Sequence, residues 1–176
     1  MDERKLELLK RLEAYFNEDE DIEEVSIFTK EELNAPMDVL RVFLTDYGPG
    51  LMEVLVENSF LPLPETEVLY FNTVITVKMD VPAEAVSALS CAIAKLNFFL
   101  PYGAFSINGD GSMLVYKSTT AVLSKDDDDT LFEQIQLSAD TAILAAEGYT
   151  EQLSQVADGS LLLSDFLETL PEVYEN

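Results

Sequence analysis

The sequence predicts an α+β fold: an antiparallel five-stranded sheet with helices packed on one face, in the order α-βββ-α-ββ-α, plus a short C-terminal helix. Three observations carry this. Between residues 38 and 79 apolar residues alternate with polar ones, the period of half-buried strands. Residues 82–118 read as a helix, a tight corner and a hairpin. Residues 130–156 return to a period of three to four, as a long amphipathic helix requires.

At the start, Leu6, Leu9, Leu12 and Tyr15/Phe16 mark a first helix, with Asp2 and Glu3 suited to its N-terminus. Residues 17–24, NEDEDIEE, form an acidic connection that reads as solvated, and 25–28 as a short strand outside the main count. In 38–45, Leu40, Val42 and Leu44 share one face and Val39, Arg41 and Phe43 the other. Asp46-Tyr47-Gly48-Pro49-Gly50 turns the chain, and 51–57 sets Met52, Val54 and Val56 against Glu53 and Glu57. Pro62 and Pro64 mark a loop. In 67–79, Leu69, Phe71, Ile75, Val77 and Met79 form one face, while Tyr70, Asn72, Val74, Thr76 and Lys78 form a mixed second face.

Pro82 suits a first helical turn, where its missing N–H costs nothing, and Pro101 disfavours helix at Leu100. The stripe Val86, Leu89, Ala92/Ile93, Leu96 and Phe99/Leu100 predicts one buried side. Tyr102-Gly103 turns the corner, and 104–107 pairs with 113–118 around Asn108-Gly109-Asp110-Gly111. Asp129 is placed to cap the long helix, in which Gly148 permits a bend, and Asp158-Gly159 ends it. Residues 1–157 therefore form one α+β domain. Residues 158–176, with Phe166, Leu167 and Leu170, form a C-terminal appendage: a short helix and tail.

The 176 residues are 48% hydrophobic, enough for a core, yet carry 34 acidic against 10 basic side chains, a net charge of −24. That charge argues against nucleic acid and against an anionic membrane, both of which need clustered Lys and Arg. No apolar run is long enough to cross a bilayer, and the start lacks a signal peptide's apolar stretch. A single cysteine, Cys91, forms no internal disulfide. A reducing cytoplasmic setting is the expectation.

With no histidine, the chain lacks the Ser-His-Asp and Cys-His nucleophile sets and the usual general base near neutral pH. One cysteine rules out four-thiolate zinc or iron–sulfur ligation within one chain. Cys91 reads as a packed thiol among Ala88, Ala92 and Lys95. Asn108-Gly109-Asp110-Gly111 precedes a strand and lacks the Gly-Lys-Ser/Thr ending of a phosphate loop, so it reads as a hairpin turn. The aspartates at 126–129 lack the alternating spacing of a calcium loop and read as a helix cap with solvated charge. No catalytic residue, metal set or cofactor is predicted.

The corner Phe98-Phe99-Leu100-Pro101-Tyr102-Gly103-Ala104-Phe105 is the most unusual local composition. It reads first as core and second as a groove for a partner's apolar side chains. Helices on one face leave the other side of the sheet partly apolar, with Val39, Phe43, Tyr70 and Val74 on it. These four, with Phe98 and Tyr102, are the candidate partner-binding residues.

The stretch KLNFFLPYGAFSINGDGSMLVYKS at 95–118, together with the order of elements, resembles the YbjN-type family of bacterial sensory transduction regulators and the type III secretion chaperone-like fold. The resemblance implies a non-enzymatic, commonly homodimeric, acidic binder of another polypeptide, chaperone-like or regulatory. The acidic insert at 17–24 and the helix after Gly159 depart from that pattern. The alternatives are a small-molecule-sensing domain, with an enclosed cavity lined by Tyr70, Phe71 and Phe99, and a metal-dependent hydrolase using acidic residues.

Overall fold

The computed structural model describes residues 2–19, 22–48, 52–64, 67–79, 81–109 and 111–171. Of the predicted features, Pro49 and Gly50 of the first turn, Leu51, Asp110, the acidic pair 20–21 and the tail 172–176 lie outside these residues. The elements run α1 (Asp2–Phe16), β1 (Ile22–Phe28), α2 (Lys30–Leu33), β2 (Val39–Tyr47), β3 (Met52–Phe60), β4 (Val68–Lys78), α3 (Val86–Phe99), β5 (Ala104–Ile107), β6 (Met113–Leu123), α4 (Asp128–Asp158) and α5 (Leu163–Thr169).

The sheet is antiparallel with six strands, not five, in the order β1-β2-β3-β4-β6-β5. The extra member is β1, which pairs along β2 from Ile22↔Leu44 to Phe28↔Val39 with one register shift. The short strand read over 25–28 is its C-terminal part; Glu23 and Glu24 interrupt the apolar pattern before it and hide its start at Ile22 and its place in the sheet. Pairing to β2 and contact with α1 supply what propensity does not. An unpredicted element is α2, one turn held by a capping box: the Thr29 hydroxyl accepts from the Glu32 N–H, and the Glu32 carboxylate accepts from the Thr29 N–H.

Cross-strand partners share a face, so the register assigns every strand residue. Leu40, Val42, Val56, Phe71, Ile75, Leu114 and Tyr116 point to one side and are buried there. The helices cover this side with α1 over β1 to β3, α4 across β4 and β6, and α3 against α4 and β5. The buried stripe of α4 includes Ala139, Ala142 and Ala146, whose small side chains let this long helix lie close to the sheet. α4 continues through the exposed Gly148.

Several expectations shift in detail. α3 starts at Val86 after a turn, not at Pro82. The cap of α4 is Asp127, whose carboxylate accepts from the N–H groups of Asp129 and Thr130. Cys91 is exposed, not packed, since the buried stripe of α3 is Leu89, Ala92, Ile93 and Leu96. β6 runs five residues past Ser118. The segment read as an appendage puts Phe166 into the common core, fully buried, with α5 against α3 and α4.

Candidate functional site

The corner between α3 and β5 decides what the sheet leaves open. Gly103 has φ +62°, and a Cβ there would lie 2.5 Å from the Tyr116 ring and 2.7 Å from the Lys117 carbonyl. Only glycine meets both conditions. The Tyr116 hydroxyl donates to the Tyr102 carbonyl at 2.7 Å and holds the turn, so the chain enters the sheet only at Ala104. Pairing of β5 with β6 therefore stops at Ala104↔Lys117, while β6 continues to Leu123.

The outer flank of β5 is already occupied. The Asn97 side chain donates to the Phe105 carbonyl at 2.9 Å and accepts from the Phe105 N–H at 2.8 Å, substituting for a neighbouring strand. At the opposite border of the sheet, exposed Glu23 and Glu24 sit on β1, a charge pattern that discourages pairing with another chain.

Residues 118–123 carry no such guard. The Met79 N–H donates to the Ser112 carbonyl and the Ser124 N–H to the Glu67 carbonyl, both at 2.9 Å, so even-numbered residues of β6 turn toward β4. Thr119 and Ala121 therefore present their backbone groups to the other side, where no strand pairs beyond Lys117 among the described residues. The segment S-T-T-A-V-L is uncharged and rich in β-branched residues.

A groove of about 560 Å³ runs along this border, between β6 and α4. Ser118, Thr120 and Val122 form its floor, Gln134, Leu137 and Ser138 its wall, and Tyr102 and Leu123 stand at its margin. Tyr102 and Leu137 are 62% and 67% exposed, large apolar surfaces that a monomer gains nothing by presenting. The Thr120 and Ser138 hydroxyls are hydrogen-bonded at 2.6 Å and tie floor to wall. Among the described residues, the one charged side chain lining the groove is Asp126, which accepts from the Gln134 amide at 3.4 Å.

The helix-free face of the sheet is the second apolar surface. It carries an Arg41–Glu57 ion pair of 2.9 Å between paired residues of β2 and β3, with the guanidinium over the Phe28 ring at 4.9 Å. Phe43 and Tyr70 are each 38% exposed, Val74 is half-buried, and Val39 is buried at 8%. The predicted partner-binding residues thus fall in three places. Val39, Phe43, Tyr70 and Val74 share this face, Tyr102 stands at the groove, and Phe98 lies apart on α3, edge-on to Phe99 at 5.2 Å. Sequence reasoning missed Thr119, Ala121, Leu123 and Leu137. The usable signals were the alternation Tyr116, Ser118, Thr120, Val122 and the leucines at 137 and 144, one heptad apart on the polar side of α4.

The three residues proposed to enclose a small molecule do not line one cavity. Phe71 lies in the core, 5.4 Å from Phe60, while its neighbour Tyr70 points to the opposite face. The aspartates before and at the start of α4 are engaged rather than merely solvated. Asp127 caps the helix, and its backbone and hydroxyl hydrogen bonds from Thr130 hold its carboxyl below the ordinary value. Asp128 accepts from Arg4 at 2.6 Å and Asp129 from Arg11 at 2.9 Å, joining α1 to α4. Among the described residues, no group of three or more Cys, Asp or Glu side chains is arranged to hold a metal ion. No helix among them is long and apolar enough to cross a membrane. No protein-family model matches the chain, and no curated protein matches it either.

Proposed function

We propose that this chain is a non-enzymatic binding module that holds an extended segment of another polypeptide by adding it as a strand along the β6 border. The observation that carries this reading is the uncharged stretch 119–123, paired to β4 on one side and, among the described residues, to no strand on the other, beside an apolar groove. Main-chain hydrogen bonds to Thr119 and Ala121 supply affinity whatever the sequence of the segment, and Tyr102, Leu123 and Leu137 select its apolar side chains. The likeness of 95–118 to chaperone-like binding proteins agrees with it.

The test is selection of extended peptides from a random library on the wild type and on Leu137→Glu. Leu137 is exposed on a helix, so this change spares the fold. Peptides that slow amide exchange at Thr119 and Ala121, and whose binding Leu137→Glu abolishes, are the expected result. Protection confined to other strands, or binding indifferent to Leu137→Glu, would remove the basis of the proposal.

A further inference from the structure

We infer that the segment received at this groove is basic at the flank that meets residues 123–126; the inference rests on the strand-addition reading above. The two ends of the groove differ in charge. At the Ala104 end the nearby charge is Lys117, the partner of Ala104 in the sheet. At the other end Asp126 lines the groove, exposed Asp127 follows it, Glu133 stands beside Gln134 on α4, and Glu67 accepts from the Ser124 N–H through its carbonyl. Against these four carboxylates only Lys125 is exposed locally. Arg4 adds little to balance them, because it is spent on Asp128 and on the carbonyls of Ser124 and Asp126.

A segment pairing antiparallel to β6 runs in the direction of β5 and starts at the acidic end. Its lysines or arginines then precede the alternating apolar residues, and its far end abuts the Tyr102-Gly103 corner. The slot opposite 119–123 is five residues long, about 17 Å of extended chain. A second copy of this chain fits the charge less well: it brings another net charge of −24 and sets Lys117 against Lys125 of the partner when the two strands centre on Ala121.

Three labelled synthetic peptides of equal length test this on the full chain: alternating valine and threonine preceded by three lysines, the same core preceded by three glutamates, and the same core preceded by three uncharged serines. Fluorescence anisotropy at low and high salt, with wild type, Asp126→Asn/Glu133→Gln and Leu137→Glu, gives the comparison. The expected result is tightest binding by the lysine peptide, weakened about fivefold or more in the doubly neutralised variant and by salt, with the uncharged peptide unaffected by that variant. Equal binding of all three peptides, abolished by Leu137→Glu, would overturn the charge inference and leave strand addition standing. Binding indifferent to Leu137→Glu would overturn both. A mass of two chains that Leu137→Glu reduces to one would make the occupant a second copy.

Discussion

Gly103 is the residue on which the open border depends. Its positive φ and the missing Cβ let the chain turn away from β6, and the Tyr116 hydroxyl seals the turn. Gly103→Ala places a methyl group 2.5 Å from that ring, so it should destabilise by about 2–4 kcal/mol, and a β-branched residue by more. Urea denaturation measures this; an unchanged midpoint would mean the corner adapts freely. Asp140 offers a separate test. Burial raises its carboxyl above the ordinary 3.8, partly offset by the hydrogen bond from the Tyr15 hydroxyl at 3.1 Å. The folded state therefore binds this proton more tightly than the unfolded chain does. The resulting stabilisation is full below the unfolded value and is lost as pH rises through the raised folded value. Asp140→Asn still offers Tyr15 an acceptor, so it should be more stable than wild type at pH 7, with the gap closing as pH falls through that window. Thermal melts across pH 3 to 7 check the sign, and a gap that widens on acidification contradicts it.

Among the elements, α5 changes meaning most between sequence and structure. Its apolar residues read as a short helix and tail appended to the domain. Phe166 is fully buried among α3, α4 and the core, which decides for docking. Phe166→Ala should cost about 3–5 kcal/mol in a single cooperative transition. A loss below about 1 kcal/mol would show that α5 contributes little to the core. β6 shows the opposite kind of difference. Its first six residues were legible as the second arm of a hairpin, but nothing local signals that its partner β5 stops early. That depends on Gly103 and Tyr116, residues 13 positions apart that meet only in the folded chain. The candidate groove was legible at Tyr102 and invisible at Leu137 for the same reason.

For the molecule as a whole, the surplus of 24 negative charges works against compaction, and α1 offsets part of it by bringing Arg4 and Arg11 to the start of α4. Added salt screens repulsion over about 10 Å at 0.1 M, so the melting temperature should rise between low salt and a few tenths molar sodium chloride. A fall would show that the α1–α4 ion pairs outweigh the general repulsion.

Local pattern alone determined the α+β class, the four longer helical segments to within a few residues, the hairpin, and which strand faces are apolar. Periodicity reports burial, and burial of one face is common to any fold built from these elements. Only the tertiary structure decided that β1 joins the sheet, that α5 belongs to the core, and that residues 119–123 are paired on the β4 side alone among the described residues. Each of these depends on which distant segment arrives alongside, and backbone pairing at a border is set by where the adjoining chain turns away.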